Sequence, residues 1–239
     1  LYSRAMDRPR AMLFDFSGTL MRIEPAERWV RAVTDAAGLT VDENDVVHHA
    51  QRLIEAGAWY GAYPTRIPEH LAEIYETRDL DEPHHRACYT GLIRESGWPW
   101  AELVDALYER SYAPEAWLPY PDAVQALTEA RDRGMATALI SNISFDIRPH
   151  LERAGLLELL DAVVLSYEVG LIKPDPAIFQ LACDKLEVDP ASAVMVGDHA
   201  ADGGGSALGV RTYYVDLVPV EERPDALISD AWVLVCGNI

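Results

Sequence analysis

Lysine is almost missing from this chain. Of its 20 basic residues only Lys173 and Lys185 are lysines, and the other 18 are arginines. In that background a lysine points to a place that needs a compact ammonium. Acidic residues number 39, so the formal net charge is −19. Such a chain repels nucleic acid and anionic membrane, and neither is expected as a partner. Cysteine is scarce as well. Cys88, Cys183 and Cys236 are odd in number, far apart and without a CxxC pair. They suggest no disulfide framework and fit a reducing, cytoplasmic setting. No apolar run approaches a membrane span. The opening LYSRAMDRPR lacks the apolar centre of a signal peptide.

What is present is an ordinary globular composition, 49% hydrophobic and 25% charged over 239 residues. That length suits one large domain or two modest ones.

Ala11 to Phe14 is a short apolar run that stops at Asp15 and reads as a buried strand. The next comparable strand is Ala136 to Ile140. A parallel crossover needs only a dozen or more residues, so the excess between them must form a separate unit. Its rhythm is helical: Pro25–Ala37, Asp42–Trp59, Glu69–Tyr75, Pro83–Arg94 and Ala101–Tyr112. Gly57, Gly61, Pro64 and Pro68 interrupt it with the loop GAWYGAYPTRIPEH. This places a helical domain at residues 22–118, inserted into a core made of 1–21 and 119–239.

After Pro121 helices and strands alternate. Helix Asp122–Arg133 precedes strand Ala136–Ile140, and helix Phe145–Ala154 precedes strand Ala162–Leu165. Asp175 and Pro176 open a helix to Leu186. Strand Ala193–Val196, a short helix near Asp202–Leu208 and strand Val210–Val215 follow, with Ala231–Val235 as a candidate edge strand. The predicted fold is α/β: a doubly wound, Rossmann-like parallel sheet with an inserted α-helical cap.

Such sheets carry their sites at the carboxyl ends of the strands. Polar groups stand at those ends: Asp15; Ser141 and Asn142; Lys173, in GLIKPDPAIF; and Asp198, in VMVGDHAAD. A carboxylate can attack phosphorus or carbon and form a covalent intermediate. A second carboxylate adds anionic oxygen for Mg2+, which prefers oxygen ligands and offsets repulsion between a phosphate and the nucleophile. Ser141 can hold a phosphoryl oxygen, and Lys173 adds a point charge that steadies developing charge.

These segments together resemble the haloacid dehalogenase-like hydrolase superfamily. DFSGT, Ser141, Lys173 and GDHAAD match its motifs, with Pro174, Asp175, Pro176 and Phe179 around the lysine. The helical insertion resembles the family's helical cap. The resemblance implies Asp15 as nucleophile and metal ligand, with the backbone carbonyl of Ser17 and the carboxylate of Asp198 completing a Mg2+ site. It implies a phosphate-binding set of Ser141, Asn142, Lys173 and Gly18. Asp202 would orient Lys173 or a water.

Ser17 departs from the family pattern, which in phosphatases usually has Asp there to protonate the leaving group. A hydroxyl is no acid or base near neutral pH. The expectation is a Mg2+-dependent phosphatase acting on a small phosphorylated metabolite. A small-molecule phosphorylated substrate and a monomer or homodimer are expected. The alternatives are a silent or weak binding or regulatory relative and a 2-haloacid dehalogenase-type hydrolase. His199, beside Asp198, is the nearest substitute acid, although it reads more naturally as a loop histidine. Both lysines lie outside the cap, which argues against a phosphonatase that would need one for a Schiff base.

The pairs His48–His49 and His84–His85 read as solvated faces, because helical neighbours diverge and cannot easily share a metal. Trp29, Trp59, Trp98, Trp100 and Trp117 fall in or beside the cap and read chiefly as its core. The loop holding Trp59, Tyr60, Tyr63 and Arg66 is the expected place for substrate contacts, with Arg66 as a clamp for a distal anion.

Overall fold

The computed structural model describes residues 8–61, 63–64 and 66–228. Cys236 and the candidate strand Ala231–Val235 lie outside them. Strand β1, Ala11–Phe14, is buried along its whole length, as a strand covered on both faces must be. A ribbon follows: β2, Met21–Ile23, pairs antiparallel with β3, Trp117–Pro119. Between these two short strands run α1, Ala26–Ala36; α2, Glu43–Glu55; α3, Ala72–Thr77; α4, Glu82–Glu95; and α5, Val104–Glu109. The ribbon was not legible in the sequence, since three-residue strands show no periodicity.

The remainder alternates. Helix α6, Ala123–Asp132, leads to β4, Ala136–Ser141, and α7, Arg148–Arg153, to β5, Ala162–Leu165. Then come α8, Ser166–Val169; α9, Pro176–Lys185; β6, Ala193–Gly197; and β7, Arg211–Tyr214. The sheet order is β5-β4-β1-β6-β7, and every pairing in it is parallel. The chain steps from β1 to β4 and β5 on one side, then crosses to β6 and β7 on the other. That reversal opens a crevice at the carboxyl end of β1. Register brings Phe14 level with Leu139 on β4 and Val196 on β6. Asp15, Ser141 and the Gly197–Asp198 corner therefore reach one edge.

Two segments are shorter or tighter than their sequence suggests. The helix expected from Phe145 starts only at Arg148, because the Phe145 ring instead packs 4.1 Å from that of Tyr112. The Gly-rich stretch Ala200–Leu208 forms a 3₁₀ helix rather than an α-helix. His199 and Asp202 close a capping box at its start. Among the described residues no helix is long and apolar enough to cross a membrane. Cys88 and Cys183 are buried free thiols.

Candidate active site

Asp15 leaves β1 with its backbone N–H donating to Val196 O at 3.0 Å, so β6 fixes where the carboxylate begins. Its side chain meets Lys173, whose Nζ donates to Asp15 Oδ1 at 2.6 Å and to Asp202 Oδ1 at 2.5 Å. Both Asp15 and Lys173 are buried, at 8% and 5% exposure. The Lys173 backbone is held from β4: Asn142 Nδ2 donates to its carbonyl at 2.9 Å, and its N–H donates to Asn142 Oδ1 at 2.7 Å. Both ends of the Asn142 amide are thereby committed. Asn142 thus acts on the site through Lys173. Gly204 lets the two loops close, since a Cβ there would lie 2.1 Å from the carbonyl oxygen of Pro174.

Asp202 has its second oxygen occupied as well, by the N–H of His199 at 3.0 Å. Asp198 differs. Its Oδ1 accepts from Thr19 Oγ1 at 3.2 Å, while its Oδ2 is buried with no partner. Oxygens of Asp15, Asp198 and Asp202 all lie within 4.8 Å of one another. A buried, unpartnered carboxylate oxygen is costly, and repays explanation by an ion. The set offers only hard oxygen donors, which fits Mg2+ better than a softer metal.

The charge balance points the same way. Burial pushes the Asp15 carboxyl well above the ordinary carboxylate range; Lys173 pulls it back, but Asp202 and Asp198 push it up again. Burial raises Asp198 too, with Asp202 adding to it. Burial alone would discharge Lys173, yet Asp15 and Asp202 outweigh it and hold the ammonium above its usual range. Lys173 is the cation in direct contact with Asp15 and Asp202, and a divalent ion would supply further charge beside Asp198.

Gly18 forms the turn after Asp15 at φ +86°, and a Cβ there would sit 2.5 Å from Asp198 Oδ2. Only glycine tolerates both the left-handed backbone and this approach. Ser17 and Ser141 line the same cavity, of about 500 Å³, as Asp15, Lys173, Asp198 and Asp202.

The cap closes the far wall. Tyr60 and Tyr63 line the cavity as expected, and the Tyr63 ring lies 4.5 Å from that of His199. Trp59 does not; its indole N–H donates to Glu24 O at 3.0 Å, a core role. Arg66 is exposed and is not among the residues lining the cavity. The cap arginine that does line it is Arg78, in the 3₁₀ turn Arg78–Leu80. The pair His84–His85 does not form a solvated face. His84 is exposed, but His85 is 1% exposed, lines the cavity and bonds Tyr108 Oη through Nδ1 at 2.9 Å. Neighbours on a helix point to different faces, so one of the pair turned inward. His49 is half-buried against Trp98 and Trp100, and His48 is exposed. Arg78 and His85 carry no sequence signal beyond their place on a helical face that the packing chose.

A parallel sheet with this strand order, a helical insertion after the first strand, and an Asp–Lys–Asp cluster at the crevice define a hydrolase class. A family model described as haloacid dehalogenase-like hydrolase matches residues 9–207, and the chain belongs to that family. Among curated relatives, the phosphoserine phosphatase of Thermus thermophilus is 42% identical over 231 residues, covering 91% of this chain and 92% of that protein. The (S)-2-haloacid dehalogenase 1 of Pseudomonas sp. is 36% identical over 215 residues, covering 89% of this chain and 87% of that protein. A dehalogenase crystal structure aligns with 97% of this chain and 99% of its own, at TM-score 0.65 and 26% identity. The relatives thus divide between two chemistries on one fold.

Proposed function

We propose that the protein is a Mg2+-dependent phosphatase of small phosphorylated metabolites, working through an aspartyl-phosphate on Asp15. The observation that carries this reading is Asp198, whose buried Oδ2 has no protein partner beside Asp15. Asp15, the backbone carbonyl of Ser17 and Asp198 would hold the ion. When bound, Mg2+ draws charge from the phosphoryl oxygens and offsets their repulsion from Asp15.

Lys173 engages Asp15 Oδ1 and so orients the carboxylate, leaving Oδ2 to attack phosphorus. The P–O bond to the alcohol breaks as the Asp15–phosphorus bond forms. Ser141, which lines the cavity, and the turn at Gly18 would hold the phosphoryl oxygens. Water then attacks phosphorus, the acyl-phosphate bond breaks, inorganic phosphate leaves and Asp15 is restored. The departing oxygen must take its proton from water or need none, since Ser17 cannot supply it. Acyl, aryl and sugar 1-phosphates are therefore the favoured substrates.

Dehalogenation is the second reading, because a halide leaves without a proton and the site has no acid at Ser17. The experiment measures phosphate release from a panel including acyl phosphates, sugar 1-phosphates and phosphoserine, with and without Mg2+, and chloride release from (S)-2-chloropropionate. Metal-dependent phosphate release that vanishes in Asp15→Asn supports the phosphatase. Metal-independent chloride release supports the dehalogenase. Neither product would leave a binding protein.

A further inference from the structure

The cap wall facing the catalytic edge is poor in positive charge. Among the described residues Arg78 is the only arginine on it, and Lys173 belongs to the catalytic edge itself. The charge of Arg78 is already engaged. Its guanidinium carbon lies 3.8 Å from the centroid of the Tyr75 ring, its Nη1 donates to Tyr75 O at 2.5 Å, and its Nη2 lies 3.4 Å from Asp79 Oδ2. His85, also on this wall, is held neutral, because burial and Arg78 lower its pKa to about 3. Asp79 and Glu76 stand against the single charge of Arg78, so the wall is net negative.

Asp79 is the group left short of partners. Its side chain is 13% exposed and lines the cavity. Its Oδ1 lies 4.0 Å from His85 Nε2, beyond hydrogen-bond reach, and neither of its oxygens accepts a hydrogen bond among the described residues. Burial raises its pKa, and Arg78 and Lys173 offset only part of that rise. A carboxylate so placed favours a further positive group. The other surfaces of the wall are aromatic. Tyr60, Tyr75 and Tyr89 line the same cavity, and the rings of Tyr60 and Tyr89 stack at 4.3 Å. Burial raises all three phenols, so they stay neutral. Neutral rings beside a carboxylate suit a cation. The fold holds this wall in place: Ser166, at the start of α8, accepts from Ile143 N–H at 2.9 Å and donates to Asp79 O at 2.5 Å. One hydroxyl thus ties the Asp79 backbone to the loop that follows Ser141 and Asn142.

We propose that Asp79 is a specificity residue of this site and binds a primary ammonium group on the part of the substrate remote from its phosphate. This rests on the phosphate-ester reading of the site. An ammonium brings three N–H donors and a positive charge to a carboxylate whose oxygens are unbonded. Together with Arg78 it balances Asp79 and Glu76. A carboxylate or second phosphate on the same part of the substrate would add to the negative charge instead. The cavity, of about 500 Å³, admits a small amino phosphate ester with its bound water.

The test uses alkylphosphonates, whose P–C bond phosphate-ester chemistry leaves intact, so binding is measured on the wild-type protein. 2-Aminoethyl-, 3-aminopropyl- and 4-aminobutylphosphonate are each compared with the matching hydroxyl compound by calorimetry in Mg2+ at neutral pH. At the chain length that spans the site, the amino compound should bind about tenfold tighter or more. Asp79→Asn should bring that pair within about twofold of each other while leaving the affinity of the hydroxyl compound in place, and Asp79→Glu should keep part of the preference. Equal affinities at every length, binding of no compound, or a preference that survives Asp79→Asn would overturn the inference. The wild-type comparison stands even if an Asp79 variant fails to fold. Phosphate release from esters is scored separately. Its absence beside an intact amino preference overturns the phosphatase reading and leaves the ammonium subsite, whereas release without that preference does the reverse.

Discussion

Arg223 donates through Nη1 to the carbonyl of Gly18 at 2.6 Å, from 205 residues along the chain. Its Nη2 donates to the carbonyl of Thr19, and its guanidinium lies on the ring of Tyr120. Arg223 is only 4% exposed. The turn after Asp15 is thus gripped by a segment beyond the residues that match the family, 9–207. Removing the grip leaves buried carbonyls unpaired, each costing about 1–3 kcal/mol. It also frees the turn that holds Thr19 against Asp198. Arg223→Met should lower kcat by roughly 10–100-fold, as a small misplacement of reacting groups does. Lysine at this position should recover part of the loss. Steady-state kinetics and a thermal melt of both variants check this. An unchanged kcat in a folded Arg223→Met would mean the turn is held without it.

Gly18→Ala puts a methyl 2.5 Å from Asp198 Oδ2 and forces alanine to φ +86°. The carboxylate must turn away or the turn must move. Mg2+ affinity should fall more than the melting temperature, and activity should drop about 100-fold or more. Mg2+ titration of activity separates this from plain unfolding. Wild-type metal affinity in the variant would remove Asp198 from the ion site.

Ser17→Asp adds the carboxyl that the site lacks. General acid–base help is worth about 10²–10⁴-fold. The gain should be largest for alkyl phosphates, whose leaving oxygen needs a proton, and small for acyl phosphates, whose leaving group does not. Comparing kcat/KM on one ester of each kind reads the difference. Equal gains on both would assign the effect to something other than proton transfer.

His85 gives the stability a pH dependence. Burial, and then Arg78, lower its pKa from 6.5 to about 3. Between those values the unfolded chain takes up a proton that the folded chain refuses, so acid destabilises the fold. The slope is about 1.4 kcal/mol per pH unit for one such proton. Burial lowers His150 to about 4, which adds loss in the same direction. Asp15, Asp79 and Asp198 are raised, and oppose it. The informative measurement is therefore a difference. Urea denaturation at pH 7.5 and 5.0 should show a smaller acid loss for His85→Gln than for the wild type. Identical losses would mean that His85 is protonated in the fold.

The core was readable in the sequence because each strand is an apolar run stopped by a polar residue. Asp15, Ser141 and Asp198 mark such stops, and Lys173 follows the next one. Parallel strands end level, so residues that stop them must meet whatever the details of packing. The parallel, doubly wound sheet was expected from the alternation, whereas the strand order β5-β4-β1-β6-β7 came from the structure. The cap was readable only as helical rhythm, and its functional face was not. His84 and His85 are equivalent in sequence; which one turned inward depended on what α4 packed against. Arg66 sits in the most conspicuous loop, yet Arg78 lines the cavity, because the turn at Arg78–Leu80 is tied to Ser166. Arg223 was invisible for the same reason. Chemistry set by strand ends belongs to local pattern, while specificity and support depend on contacts between segments far apart in the chain, which only packing decides.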